Sequence, residues 1–306
     1  MPTSHKPFQR KIDDRLAYIP EIDTRHNFNS RNLGLPRRLL AMETEALVIA
    51  GGLFVLSIAS GMLGLGVAFA AVPFLGFFLH DLVHEVQPLS LVLNGVTALF
   101  ALIGFARSRL VAWKPAILLS VATTLCAPVG GYLALIVDAS YLWAFYFVAV
   151  AFLAWRMFLP EKPAAEVAPA ANPATPAVPP TSRAEPNLML ALLLAAPIAV
   201  AAGMLGVGPG FLLLPTLILL GYESKHAAAI NALAVTPPSF SALIPHLATA
   251  KVNLTLAATL IAVGAVGSFL GARITSLYVP GRRLKQIFGV LIVVMTAYKL
   301  FQILVK

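Results

Sequence analysis

Ser60-Gly61-Met62-Leu63-Gly64-Leu65-Gly66-Val67-Ala68-Phe69, followed by Pro73, and Ala202-Gly203-Met204-Leu205-Gly206-Val207-Gly208-Pro209-Gly210-Phe211, followed by Pro215, are two copies of one glycine-rich stretch. Each copy lies deep in an apolar run. The first run, Thr44 to Leu79, would measure about 54 Å as a single helix at roughly 1.5 Å per residue, against a bilayer hydrocarbon core of about 30 Å. One straight span is therefore excluded, and the glycines are where the run can break. Broken backbone at membrane depth survives only where protein or a polar cavity covers it. Matching breaks in two halves of a chain point to a transporter's binding site.

The composition supports a membrane setting. Of 306 residues, 59% are hydrophobic and only 11% charged, with a mean hydropathy of +0.85. A soluble domain carries about a quarter charged residues, so a polytopic membrane protein is expected. The net charge of +9 is spread over tails and loops, without the basic stripe and interleaved aromatics of a nucleic-acid binder. It fits loop-charge topology and attraction to anionic lipid. The single cysteine, Cys126, lies in an apolar run and offers neither a disulfide framework nor a thiolate metal site. No cofactor is expected. Residues 1–38 contain no apolar core of signal-peptide length, and the first apolar run has no evident small-residue cleavage site.

Four regions follow. Residues 1–43 form a basic N-terminal tail with eight Lys or Arg against five Asp or Glu. Phe8, Ile12, Leu16 and Ile19 recur there at helical spacing beside Lys6, Arg10, Lys11 and Arg15, as in a helix lying on a membrane surface; a disordered tail is the alternative. Residues 44–159 form a first transmembrane repeat, with apolar segments at about 44–65, 67–80, 87–106, 114–137 and 141–159. Residues 160–187 are a linker; 160–186 hold eight prolines and eight alanines, a density that prevents a continuous helix. Residues 188–306 form a second transmembrane repeat, with segments at about 188–206, 209–221, 227–248, 252–275 and 284–304. The expected fold is all-α and polytopic, with about 8–10 membrane segments.

The match between halves extends past the glycines. Asn94 aligns with Asn231, residues 127–134 (APVGGYLA) align with 264–271 (GAVGSFLG), and Ala154-Trp155-Arg156 aligns with Ala297-Tyr298-Lys299. Four matches in one order indicate an internal duplication. Arg107, Arg109 and Lys114 flank a loop whose counterpart carries only Lys251. The Asp138 loop has no basic residue, whereas its counterpart carries Arg273, Arg282, Arg283 and Lys285. The basic side changes between halves, as in an inverted repeat. Arg31, Arg37 and Arg38 before the first span favour a cytoplasmic N-terminus, which conflicts with that count of crossings.

Several residues are candidates for a solute site. Gly61, Gly64, Gly66, Gly203, Gly206 and Gly208 can unwind the chain and leave amide N–H groups at the start of the next half-helix, where they and the helix dipole attract anions. The other reading of membrane glycine is close helix packing, assigned here to Gly264, Gly267 and Gly271. Asn94 and Asn231 either contact solute or satisfy the unwound backbone. Ser60, Thr97, Thr236, Ser239 and Ser241 are further neutral donors. No Asp or Glu lies deep in an apolar segment, which argues against a cation pump. His246, the one histidine within an apolar segment, reads as an interfacial residue rather than a proton carrier.

The paired Gly-Met-Leu-Gly-(Leu/Val)-Gly stretches, their following prolines, and Asn94 with Asn231 resemble the sulfite exporter TauE/SafE family over about residues 44–159 and 188–306. The resemblance implies a transporter of small sulfur-containing anions such as sulfite, sulfonates or sulfoacetate in the cytoplasmic membrane. The basic tail and the proline-alanine linker depart from a minimal member, and Val67-Ala68 replace Pro209-Gly210.

The function expected is thus secondary transport of a small sulfur-containing or organic anion by alternating access, in the export direction. The implied partners are that anionic solute and anionic lipids along the tail, with no nucleic acid; an oligomer is possible. No Walker-type loop is present, so ATP does not drive this chain directly. The alternatives are a membrane scaffold without flux, or an intramembrane hydrolase, for which Ser239, Ser241 and His246 form no recognisable motif.

Overall fold

The computed structural model describes residues 34–138 and 187–280 continuously, and single positions between 140 and 148 and between 283 and 294. Among these residues lie eight α-helices and no strand: α1 Gly34–Leu63, α2 Ala68–Phe78, α3 Gln87–Ala106, α4 Trp113–Ile136, α5 Leu188–Leu205, α6 Gly210–Leu219, α7 Ser224–Leu243 and α8 Leu254–Tyr278. A π-helical turn, Leu82–Val86, leads into α3, and a 3₁₀ turn, Ile244–His246, closes α7. Among the described residues six stretches are long and apolar enough to cross a membrane: Ala46–Leu63, Leu82–Ala106, Trp113–Ile136, Leu188–Leu205, Ser224–His246 and Leu254–Tyr278. Helices α2 and α6, with 11 and 10 residues, reach only about 15 Å each, half the hydrocarbon core.

Helix α1 begins at Gly34, ahead of the apolar run, because the bounds of a helix need not coincide with those of its hydrophobic stretch. The expected segments 141–159 and 284–304 lie mostly outside the described residues. The amphipathic stretch Phe8–Ile19, the 160–186 linker and the Ala154–Arg156 match lie wholly outside them. Leu47–Lys306 is one compact unit, and the packing that follows is within it.

Close helix approach is set by small residues. A Cβ on Gly267 or Gly271 of α8 would strike the Phe54 or Ile58 carbonyl of α1, and one on Gly61 would strike Ser268 of α8. Likewise a Cβ on Gly130 of α4 would strike the Val200 carbonyl of α5, and one on Gly203 would strike the Ala127 carbonyl of α4. Gly264 faces Thr97 and Ser57. With no hydrophobic gain between helices in lipid, such backbone-to-backbone approach is a main source of association. The first helix before the linker thus lies on the last long helix described after it, and the first helix after the linker lies on α4.

Helices α3 and α7 cross the middle in opposite directions. His84, just before α3, accepts at its carbonyl from the Lys251 amide beyond α7 (2.7 Å). Asn94 meets Ser239 in the middle, and His226 at the start of α7 bonds the Leu110 carbonyl beyond α3 (2.9 Å). The two asparagine-bearing helices are therefore antiparallel, as an inverted relation requires. At the end of α3, Arg107 stacks over Phe269 and Arg273 donates to Ser108. That places two of the expected basic loops at the same end of the molecule.

Two prolines inside helices, Pro128 and Pro238, are repaired by hydroxyls from a neighbouring helix. A proline at i strips the carbonyl at i−4 of its donor. Pro238 frees the Ala234 carbonyl, to which Thr123 Oγ1 of α4 donates at 3.0 Å. Pro128 frees the Thr124 carbonyl, to which Ser241 Oγ of α7 donates at 2.9 Å. The two bonds, each contributing about 1 kcal/mol net, lock α4 against α7 in both directions.

Candidate functional site

Both glycine stretches end a long helix with the same pair of hydrogen bonds. Leu65 N donates to Ser60 O and Gly64 N to Gly61 O; Val207 N donates to Ala202 O and Gly206 N to Gly203 O. This closure needs a left-handed residue just past the helix, and Gly64 (φ 62°) and Gly206 (φ 68°) provide it. Two residues on, Gly66 and Gly208 (both φ 70°) turn left-handed again, and the chain re-enters a helix at once. Residues with a Cβ resist that conformation by about 1–2 kcal/mol each. The unwound tips are therefore Gly64–Val67 and Gly206–Pro209, and every residue of 63–73 and 205–211 is buried.

The two tips meet. Phe69 and Phe211, each the second residue of its half-helix, stack with centroids 5.3 Å apart and planes 17° apart. The Gly210 backbone lies against the Leu65 carbonyl, where a Cβ would sit 2.6 Å from the oxygen. The N-terminal turns of α2 and α6 are thus side by side, bringing two positive dipole ends together in an interior that holds no charged side chain at either tip.

Asn94 and Asn231, both wholly buried, bridge the tips from α3 and α7. Asn94 Oδ1 accepts from the Ala68 amide (2.9 Å), and its Nδ2 donates to Ser239 Oγ (2.8 Å). The same side chain fills the space beside Gly66 and Gly208, where any Cβ would collide with it. Asn231 Nδ2 donates to the carbonyls of Gly64 (2.9 Å) and Gly210 (3.2 Å), leaving its Oδ1 without a donor. Both asparagines therefore satisfy unwound backbone, one of the two roles open to them in the sequence.

The expectation of bare amides fails at the first tip. Val67 N donates to Thr97 Oγ1 (3.0 Å) and Ala68 N to Asn94, since a buried amide without an acceptor costs about 1–3 kcal/mol. At the second tip Pro209 has no N–H, and Ala234 stands three residues after Asn231 where Thr97 follows Asn94. Among the described residues no side chain accepts from the Gly210 or Phe211 amides.

The other candidates separate. Gly61 and Gly203 sit in helix contacts. The Ser60 carbonyl closes the first helix, while its hydroxyl is buried without a partner. Ser239 Oγ donates to Val235 O and receives Asn94, so it lies at the tips. Thr236 turns back on Ala232 O, and Ser241 serves the α4 carbonyl. His246 closes its candidate span and is fully buried in protein. Outside the membrane stretches, burial alone would raise the Asp81 carboxyl. The His84 amide and ring, with Lys251, hold it below its ordinary value instead.

Gln87 escaped the sequence reading. It is fully buried, donates to the Met204 carbonyl (3.2 Å), packs where a Gly206 Cβ would fall, and has an unpaired Oε1. With Ser90, Asn94 and Thr97 it forms a wholly buried polar stripe on one face of α3, and that i, i+3, i+7, i+10 spacing was the signal available.

Interrupted spans whose breaks meet inside a multi-pass helical bundle define a class, the membrane transporters built on discontinuous helices. The chain belongs to the sulfite exporter TauE/SafE family, whose model matches residues 48–299. It is therefore a multi-pass membrane protein of a transporter family. Compared with curated proteins and with solved structures, it finds no match.

Proposed function

We propose that the protein exports a small sulfur-containing anion, of the sulfite or sulfonate type, across the cytoplasmic membrane by alternating access, and that the anion is held at the second tip. One observation carries this reading: the N-terminal turns of α2 and α6 converge in a buried, uncharged interior. Two positive dipole ends side by side repel unless something negative joins them. The first tip is neutralised by Asn94 and Thr97, whereas the Gly210 and Phe211 amides have no side-chain acceptor. They would receive the anion, with Asn94, Ser239 and Gln87 around it.

The unpaired oxygens of Asn231 and Gln87 beside that tip favour an anion that also carries a hydrogen to donate, such as hydrogensulfite or an amino- or hydroxysulfonate. Burial of both tips corresponds to an occluded arrangement that must open by turns to each side. Neither the buried serines nor His246 form a nucleophile–base pair, which favours transport over hydrolysis. The test is flux from liposomes holding the purified chain, with sulfite, sulfoacetate, taurine and thiosulfate compared. No flux of any of them, or equal flux of chloride and lactate, would overturn the reading.

A further inference from the structure

We propose that His246 is a proton-binding site which couples the transporter to the proton gradient, loading from water past His84. This rests on the transport reading for its purpose but not for its chemistry.

His246 is wholly buried, and neither Nδ1 nor Nε2 has a hydrogen-bond partner. The Val83 carbonyl lies beside the ring without meeting hydrogen-bond geometry. Buried polar atoms are paired in the large majority of cases, and an ionisable residue inside a membrane protein marks a pathway or relay more often than a structural filler. A neutral imidazole always carries one N–H and one lone pair, so here the lone pair has no donor and the N–H has at best a strained approach to the Val83 carbonyl. Such a ring is free to take a proton at its bare nitrogen. Only an N–H bond forms, and the proton returns to water when the ring is next exposed.

The groups around it supply an entry route. From the π-helical turn and the loop before it come His80, which is exposed, Asp81, His84 and Glu85, and from the loop after the 3₁₀ turn comes Lys251. His84 is paired with Asp81 (2.9 Å), both side chains being more than a third exposed. His84 lies close enough to His246 for a charge on one ring to act on the other. Helix α4, which packs on the 3₁₀ turn through Gly131 and Pro245, brings Cys126 and the exposed Tyr132 but no carboxylate, and Asp138 lies exposed beyond its end. Helix α7 offers no ionisable side chain between His226 and His246. Among the described residues no carboxylate contacts the ring, so a protonated His246 has no counter-ion and no exposure to bulk solvent in the closed arrangement. It can be charged only if the contact between the segments opens. That contact is the hydrogen bond from the Lys251 amide to the His84 carbonyl, 2.7 Å long.

The same element reaches the tips. Ser239, which receives Asn94, lies seven residues before His246 on α7, and the Pro237–Pro238 pair between Asn231 and Ser239 removes two helical hydrogen bonds. A shift at the His246 end can therefore move Ser239 without carrying Asn231 along.

Hydrogen exchange of the full chain in lipid nanodiscs tests the site without any solute. After correction for intrinsic rates, exchange of peptides covering 247–253 is expected to rise about tenfold from pH 7.5 to 5.5. The rise should persist in His84→Gln and vanish in His246→Gln and His246→Asn. A flat wild-type profile, or the same rise in the His246 variants, overturns the proposal. In liposomes, the ratio of sulfite flux driven by a pH gradient to sulfite exchange at equal pH should fall at least tenfold in His246→Gln; an unchanged ratio also overturns it. A chain that shows the exchange response but moves none of the tested anions would sink the transport reading and leave the proton site standing.

Discussion

The two glycine tips begin with the same closure and end differently. Each halts a long helix with a left-handed glycine, turns again two residues later, and starts a half-length helix. At the first tip the next two amides are claimed by Thr97 and Asn94. At the second, a proline removes one amide, and an alanine stands where the threonine would be needed. The missing acceptor and the missing donor belong together, since without the threonine an amide at that position would be buried unpaired. The first tip is finished by its own side chains, and in the proposed reading the second is completed by the anion.

Breaking the first tip has the largest expected effect. A Gly64→Ala methyl would meet the Ala228 carbonyl in a left-handed backbone, and main chain cannot yield; we expect loss of folded protein by size-exclusion yield in detergent. Gly206→Ala has the same backbone demand of about 1–2 kcal/mol and meets Gln87 at Cγ (2.5 Å) and Cβ (2.8 Å), with the Gln87 backbone farther off at 3.2 Å. It should cost more than the backbone term alone but less than Gly64→Ala, with part of the protein recovered. Equal losses for the two would erase the distinction between the tips.

Next comes Asn94→Ala, which unpairs the Ala68 amide and removes the Ser239 contact. At about 1–3 kcal/mol for a buried unsatisfied group, the thermal midpoint should fall clearly and flux should be lost. Asn231→Ala strips donors from two carbonyls, which tolerate it better than amides do. It should lose flux with a smaller fall in midpoint.

The comparison is sharpened by a double substitution. Thr97→Ala alone leaves the Val67 N–H buried without an acceptor and should destabilise by about 1–3 kcal/mol. Adding Val67→Pro removes that N–H and copies the second tip, so the pair should recover much of the loss. A double-mutant cycle with no coupling would show that the Thr97 contact is incidental.

The smallest effect concerns pH. Asp81 has its folded value held below the ordinary 3.8. Its contribution to stability is therefore full above that value and is lost as pH falls through the folded one. Asp81→Asn should flatten the acid end of a stability–pH curve only slightly, because the carboxylate is 37% exposed and screened. A steep change near neutral pH in that variant would mean that Asp81 does more than pair with His84.

Much of this architecture was legible in the chain. The glycine pairs marked both breaks within about two residues, because no other residue takes a left-handed turn so cheaply. Gly267 and Gly271 were readable as packing positions, and Asn94 and Asn231 as partners of the breaks. The roles of Gly61 and Gly203 were not. Their spacing cannot tell a tip from the interface one turn before it, and only the opposing helix decides. Gln87 was missed because a polar residue at the edge of an apolar run looks like a boundary. The burial of His246 was hidden for the same reason, since a residue at the end of its segment gives no sign that another segment covers it.

By itself the sequence determined that the chain is a multi-pass helical protein broken twice by glycine, since hydropathy, length and backbone stereochemistry are local properties. It also named the family that the match over residues 48–299 establishes. Only the tertiary structure decided that the breaks meet, that the asparagine helices run oppositely, and that the first tip's amides are taken while the second's are not. Those facts depend on which groups become neighbours across more than a hundred residues, and burial then forces each polar atom to find a partner or wait for one.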